Sequence, residues 1–181
     1  MYYPSLKEFL KLSRRYNVIP LYKEINADLD TPVSAYLKLK KSDYSFLLES
    51  VEGQEKIARF SFLGSNPYLV VKAKGKNILD ELKKIMRNFK SYQARGLPRF
   101  YGGLVGYIGY DTVRFFEKIP DKNPEDLKLQ DSIFMLTDTL LIFDHINHTI
   151  KIVANVILPK KYTDVVRKRL YEKALKKIES I

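Results

Sequence analysis

Four segments of the chain show the apolar spacing or the terminal signals of a helix. Apolar residues recur at helical spacing after Ser5, and Ser5 followed by Glu8 is typical of a capping box. Thr31 followed by Pro32 is typical of a helix start, because threonine caps the first turn and proline there loses no needed donor. The pattern therefore predicts helices at residues 5–16, 31–39, 78–89 and 162–178.

The remaining apolar runs are short and are separated by glycine, proline or polar residues, which is typical of strands. The two longest, 132–144 and 149–158, are joined across the polar segment 145–148 and predict a hairpin. Further strands are predicted at 18–24, 44–49, 58–63, 68–73 and 100–110, and the charged stretch 111–131 predicts a long surface loop or a short helix. Strand pairs joined by short turns, with helices set apart between them, predict an α+β domain built on antiparallel sheet.

Composition favours one globular domain without a membrane segment. The chain has 181 residues, of which 45% are hydrophobic, and no apolar run reaches the length of a bilayer span. Its start lacks the basic region and long apolar segment of a secretory signal. Because cysteine is absent, disulfides and thiol chemistry are excluded and a cytoplasmic protein is expected. Dense lysine and glutamate also fit a hot-growing organism.

The net charge of +11 raises nucleic acid as a partner, but the distribution of the charge does not favour it. The basic residues are mostly lysines, and they are spread over several predicted helices and one strand. This dispersed distribution of lysines is more typical of solvent-exposed surfaces than of a nucleic-acid-binding groove. A basic nucleic-acid-binding domain stays open as an alternative, supported by the charge and by the tyrosines among the glycines of 101–111.

No motif in the chain predicts a catalytic or metal site. The glycines of 101–111 lack the spacing of a phosphate loop and indicate instead a close backbone approach or a bulged strand. His145 and His148 are the only histidines, and two histidines in a turn without cysteines make a poor zinc site. Asp138 and Asp144 are interpreted as edge or turn charges of the hairpin. Binding or regulation is therefore a better prediction than catalysis.

The predicted strand 44–49 ends abruptly in two polar residues, Glu49 and Ser50. A pocket for an amino acid needs an acceptor for the ammonium group and an apolar slot, and Leu48, Glu49 and Ser50 can supply both. The alternative is a strand that leaves the core and enters solvent, with Ser50 opening a turn. The residues alone favour this second interpretation.

Three motifs occur in order along the chain: TPVSAYLKL at 31–39, FLLESVEGQEKIARFSFLG at 46–64 and FYGGLVGYIGYDTVR at 100–114. Together with VIPLYKEINADLD at 18–30, they resemble the N-terminal region of the large subunit (component I) of anthranilate synthase, the chorismate-utilising enzyme that begins tryptophan synthesis. The resemblance runs from about residue 5 to about residue 160. It implies sandwich-like antiparallel sheets with flanking helices, in a single N-terminal domain or fragment spanning 1–181.

The resemblance also implies a ligand and a site for it. In that family the LLES segment lines the feedback site for L-tryptophan, so Leu48, Glu49 and Ser50 would contact the inhibitor. The indole would occupy an apolar slot, and the polar strand end and nearby backbone would hold the zwitterion. Arg59, across the hairpin, is expected to face Glu49, either as a ligand contact or as an ion-pair partner that orients this carboxylate.

Further expectations concern parts that lie outside the chain. The family's catalytic half, which binds chorismate and Mg2+ and supplies the acid–base residues, is missing here. The resemblance therefore implies no catalytic residue, metal site or cofactor in this chain, which is expected to be inactive alone. The expected partners are L-tryptophan, the catalytic chorismate-binding half and a glutamine amidotransferase subunit, with neither nucleic acid nor membrane. If the two halves interleave their strands, parts of the apolar hairpin 133–158 would be exposed.

Two more alternatives stay open beside the nucleic-acid-binding domain. Aminodeoxychorismate synthase shares the N-terminal architecture and can hold tryptophan as a structural ligand, although TPVSAYLKL and LLESVEG favour anthranilate synthase. The other is a purely structural half that folds only with its partner and has no measurable affinity for a ligand.

Overall fold

The structure is a computed structural model that describes residues 1–39, 42–49, 59–120 and 128–181. In these ranges the α-helices are α1 (Leu6–Leu12), α2 (Pro32–Leu39), α3 (Leu79–Met86) and α4 (Asp164–Glu179), and a 3-10 helix covers Tyr110–Phe115. The strands are β1 (Tyr2–Tyr3), β2 (Val18–Asn26), β3 (Ser45–Leu48), β4 (Phe60–Ser65), β5 (Leu69–Ala73), β6 (Gly103–Ile108), β7 (Ser132–Thr137), β8 (Thr139–Asp144) and β9 (Thr149–Ile157).

The strands form two antiparallel sheets, which confirms the predicted α+β class. The larger sheet has six strands in the order β1-β2-β9-β8-β4-β3, and the smaller has three in the order β5-β7-β6. Helices α1, α2 and α4 cover one face of the larger sheet. The core on this face includes Phe9, Leu21, Leu63, Phe143 and Ile178.

The other face of the larger sheet packs toward the smaller one. Its buried residues include Leu140, Ile142 and Val153, and Val105 and Met135 of the smaller sheet pack against this cluster. Helix α3 covers the smaller sheet through Ile78 and Leu82, among other residues. The sheets and helices are therefore layered, as the sandwich-like expectation requires.

The capping signals at two helix starts are confirmed, but the first helix is shorter than predicted. The backbone N–H of Ser5 donates to Glu8 Oε2 at 3.0 Å, and the Ser5 hydroxyl accepts from the N–H of Glu8 at 3.4 Å. The helix that follows ends at Leu12 rather than at residue 16. The Ser13 hydroxyl donates to the carbonyl of Leu10, a local bond that competes with helix continuation.

The prediction of one strand over 132–144 is wrong, because this run contributes to both sheets. β7 pairs with β5 and β6, whereas β8 pairs with β4 and β9, and the chain changes sheet at Asp138. Asn155 holds the crossing point, since its backbone N–H donates to the Asp138 carbonyl at 2.7 Å. The Asp138 carboxylate accepts from Lys177 Nζ at 3.0 Å, so it is an inter-element contact rather than an edge charge.

Exposure of parts of the hairpin 133–158 was expected only if the two halves interleave their strands, and β8 and β9 are not such exposed parts. Every residue of β8 and seven of the nine residues of β9 are buried, because these strands lie in the middle of the larger sheet. Seven of the exposed large apolar side chains among the described residues lie instead in and after the edge strand β6: Tyr107, Ile108, Tyr110, Phe115, Phe116, Ile119 and Leu129. We call this set the β6 patch.

The glycine-rich segment makes the close backbone approach that its sequence predicts. A Cβ built on Gly106 would overlap the carbonyl oxygen of Ile133 on the neighbouring strand β7. Beyond it, the predicted surface loop or short helix contains the 3-10 helix, and residues 121–127 lie outside the described ranges. None of the helices in the described part of the chain combines the length and the apolar character that a membrane crossing requires.

Candidate functional site at the β3–β4 end of the sheet

The structure brings three of the four predicted site residues to one end of the larger sheet. Leu48 is the last residue of β3 and lies opposite Phe62 of β4, and Glu49 follows it in an exposed position. Arg59 immediately precedes β4 at the same end. The fourth residue, Ser50, lies outside the described residues, as does the connection 51–58.

An apolar surface lies beside Leu48. Directly opposed residues and residues two apart share a face of an antiparallel sheet, so Leu48, Phe62 and Phe60 project to the same side. Leu48 is 48% exposed, and both phenylalanines are half-buried. The ring of Phe62 lies 6.1 Å from that of Phe60 and 5.2 Å from that of Phe100, edge-on to the latter. Such a surface can pack against a flat aromatic ligand.

The Arg59 guanidinium contacts Asp144, a residue that sequence reasoning did not connect with the site. Arg59 Nε donates to Asp144 Oδ1 at 3.0 Å and Nη2 donates to Oδ2 at 2.7 Å, a bidentate pair. The guanidinium carbon also lies 4.8 Å from the centre of the Phe60 ring. The carboxylate that fixes Arg59 is therefore that of Asp144, 85 positions away, whereas the sequence suggested Glu49.

Asp144 is the polar anchor of this end of the sheet. Its side chain is 1% exposed, and it also accepts hydrogen bonds from the backbone N–H groups of Ile146 and Asn147 and from the Asn147 amide. Burial alone would raise the pKa of Asp144, but the bonds from Arg59 and from the turn outweigh it and hold the pKa below its ordinary value. An aspartate that ends a strand directly before a turn was the sequence signal for this role.

His145 links the same turn to β4. Its Nε2 lies 2.8 Å from the hydroxyl oxygen of Ser61, which is fully buried, and its backbone N–H donates to the carbonyl of Arg59 at 2.9 Å. Burial keeps the Ser61 hydroxyl from solvent, so this Ser–His pair joins strand and turn and is not an accessible nucleophile. The arrangement as a whole offers a ligand a half-exposed apolar surface, an exposed carboxylate at Glu49 and a fixed cation at Arg59.

Comparison with known proteins gives a consistent set of relatives. Anthranilate synthase component 1 of Acetivibrio thermocellus is 41% identical over 172 residues, covering 86% of this chain and 35% of that protein. The Aquifex aeolicus protein of the same name is 42% identical, covering 84% of this chain and 34% of its own length. The probable component 1 of Schizosaccharomyces pombe is also 42% identical, with 86% and 33% covered.

A solved structure agrees with these relatives. The crystal structure of anthranilate synthase component I from Streptococcus pneumoniae TIGR4 has a TM-score of 0.52 and 26% sequence identity, covering 86% of this chain and 36% of that one. No protein-family model matches the chain. The chain spans about a third of the length of the curated relatives it matches.

The fold and the matches together define the class of the chain: a two-sheet α+β fold that is similar to about a third of anthranilate synthase component 1. The chain is a homologue of the N-terminal region of anthranilate synthase component 1.

Proposed function

We propose that this chain is the regulatory N-terminal part of the large subunit of a cytoplasmic anthranilate synthase and carries its feedback site for L-tryptophan. One observation supports this most strongly. Leu48 and Glu49 at the end of β3 and Arg59 directly before β4, all predicted from one motif, lie at the same sheet end beside a half-exposed surface of phenylalanine rings.

Each part of the amino acid has a chemically suitable counterpart there. The indole packs against Leu48 and the rings of Phe60 and Phe62, where burial of apolar area supplies most of the affinity. The Glu49 carboxylate accepts from the ammonium group, and Ser50, the next residue, completes the polar end. Arg59 donates from Nε and Nη2 to Asp144, and this pair makes the wall of the site rigid. The remaining N–H groups of Arg59 can donate to the ligand carboxylate.

The rest of the enzyme is part of the same proposal. The relatives are about three times as long as the chain, and the additional length would supply the catalytic half that binds chorismate and Mg2+. The β6 patch, exposed beside a sheet edge, is the surface that we propose for packing against that half. A glutamine amidotransferase subunit would complete the assembly. Tryptophan would inhibit by binding one arrangement of the two halves better than the other.

Binding can be measured directly, because the protein contains no tryptophan. With excitation at the red edge, where tyrosine is silent, the emission anisotropy of L-tryptophan should rise saturably as the chain is added. Leu48→Asp should weaken binding about tenfold, since a charge replaces part of the apolar wall. The matched control is Leu29→Asp, at a loop position that is 98% exposed and supplies none of the proposed ligand contacts. An unchanged anisotropy with a folded chain, or equal effects of the two variants, would contradict the proposal.

A further inference from the structure

A concave site lies away from the β3–β4 end of the sheet. It is a cleft of about 770 Å³ between the second half of α1 with the turn that follows it, strands β1 and β2, and the segment 92–95. None of Leu48, Glu49, Arg59 or Asp144 lines it. Its volume falls in the range of small-molecule sites, roughly 300–1,000 Å³.

The cleft carries a strong excess of positive charge. Lys11, Arg14, Arg15 and Arg95 line it, and all four are exposed. Within the described ranges, none of these four side chains forms an ion pair. Among the described residues that line the cleft, Glu8 is the single carboxylate, and it is already bound in the capping box by the Ser5 backbone and hydroxyl. Four cations and one carboxylate give the described lining a net formal charge of +3.

Aromatic rings alternate with these cations. Tyr3 and Tyr22 stack with their ring centres 5.6 Å apart, and Tyr16 and Tyr92 meet at 5.4 Å in a tilted pair. The Tyr22 hydroxyl donates to the carbonyl of Arg95 at 3.1 Å. The hydroxyls of Tyr16 and Tyr92 have no hydrogen-bond partner in the described part of the chain, so they can donate to a ligand.

The walls are held in place by contacts from outside the cleft. Tyr162 donates its hydroxyl to the Ser13 carbonyl at 2.6 Å, and Arg167 Nη1 donates to the Leu10 carbonyl at 3.2 Å. These bonds tie the end of α1 to α4. On the opposite wall, Gly96 adopts φ +89°, and a Cβ there would lie 2.9 Å from the Tyr22 hydroxyl. The geometry is therefore built before any ligand arrives, which lowers the entropic cost of binding.

We propose that this cleft binds a nucleoside polyphosphate, with the base against the tyrosine rings and the phosphates on the arginines and Lys11. Arginine binds phosphate bidentately, and its flat guanidinium pairs well with aromatic surfaces. A formal charge of +3 matches two or more phosphates, whereas an aromatic monocarboxylate would leave most of it uncompensated. A half-open cleft of about 770 Å³ suits one nucleotide better than the extended path of a nucleic-acid strand.

Calorimetric titration of the 181-residue chain with ADP tests the proposal, with adenosine and inorganic pyrophosphate as partial ligands. ADP should bind more tightly than adenosine or pyrophosphate, because only ADP contacts the tyrosine rings as well as the cationic side chains. The double variant Arg14→Ala/Arg15→Ala should weaken ADP binding by about tenfold or more, the loss expected when charge-assisted hydrogen bonds are removed. Arg87→Ala, at the exposed C-cap of α3 and outside the lining of the cleft, is the matched control and should leave binding unchanged.

Tyr92→Phe provides a milder second variant, since it removes only a free hydroxyl and should weaken ADP binding by several-fold. The proposal is overturned if ADP does not bind, if Arg87→Ala weakens binding as much as the double variant, or if pyrophosphate binds as well as ADP. It is also overturned if a short oligoadenylate binds far more tightly than ADP with a steep salt dependence, which would indicate a nucleic-acid surface. L-tryptophan binding should be unaffected by the double variant, so the two sites are tested separately.

Discussion

Replacement of Asp144 with alanine is expected to lower the free energy of unfolding by about 3 kcal/mol. The substitution removes a carboxylate that is 1% exposed and accepts bonds from Arg59, Ile146 and Asn147. It leaves the turn N–H groups and the guanidinium without their acceptor. For a chain of this length, such a loss corresponds to a fall in Tm of roughly 6–12 °C. Urea denaturation followed by circular dichroism measures it.

The control for this variant is Asp28→Ala, which removes an exposed aspartate from a loop and should change stability by less than about 0.5 kcal/mol. Asp144→Asn should have an intermediate effect, because an amide keeps the shape but cannot accept the bidentate pair. If Asp144→Ala were no more destabilising than Asp28→Ala, the role of Asp144 as the polar anchor of the site would be wrong.

The Asp144 pair also predicts the pH dependence of stability. The pKa of the Asp144 carboxyl is lower in the folded state than in the unfolded chain, where aspartate has a pKa of about 3.9. Its stabilisation is therefore fully present above that pH and is lost as the pH falls through the lower folded value. The difference in unfolding free energy between the wild type and Asp144→Asn should be constant near neutrality and shrink below about pH 4.

The second large effect is expected for Ser50→Phe, which should weaken L-tryptophan binding about 100-fold or more while the fold is retained. Ser50 belongs to the tryptophan site proposed above, directly after Leu48 and Glu49 in the sequence. A phenylalanine ring there would occupy the volume that the ligand needs, and overpacking of a shaped site is costly. The anisotropy titration used for the wild type measures the loss.

Ser180→Phe is the matched control, since it adds the same ring at the exposed C-cap of α4. It should bind L-tryptophan as the wild type does. If the Ser50→Phe chain were folded and bound tryptophan normally, the assignment of the LLES segment to the site would fail. In the whole enzyme, the same variant should remain active in the presence of tryptophan.

The sequence predicts elements well where local chemistry decides them. The capping box at Ser5, the helix start at Thr31-Pro32 and the turn at 145–148 are set by residues close to one another, and all three occur in the structure. The Asp138 crossing was not predictable in this way. Residues on both sides of it are apolar because two different sheets bury them, so the run has the pattern of one long strand.

The candidate site was predictable only in part, for a similar reason. Leu48 and Glu49 are marked by the change from apolar to polar at a strand end, whereas the partner of Arg59 lies 85 positions away. Nothing local relates Arg59 to Asp144. The cationic cleft is harder still, because Tyr3, Arg14 and Tyr92 come together only through the packing of α1 on the sheet.

The most direct test of the central claim is an NMR titration of the isotopically labelled chain with L-tryptophan. The amide resonances of residues 46–49 and 59–62 should shift saturably with ligand, together with those of the Asp144 turn. D-tryptophan, whose ammonium and carboxylate groups are exchanged in space, should produce weaker shifts. Saturable shifts confined to another surface, such as the cleft at 14–16 and 92–95, or no shifts at all in a folded chain, would contradict the claim that this region carries the tryptophan site.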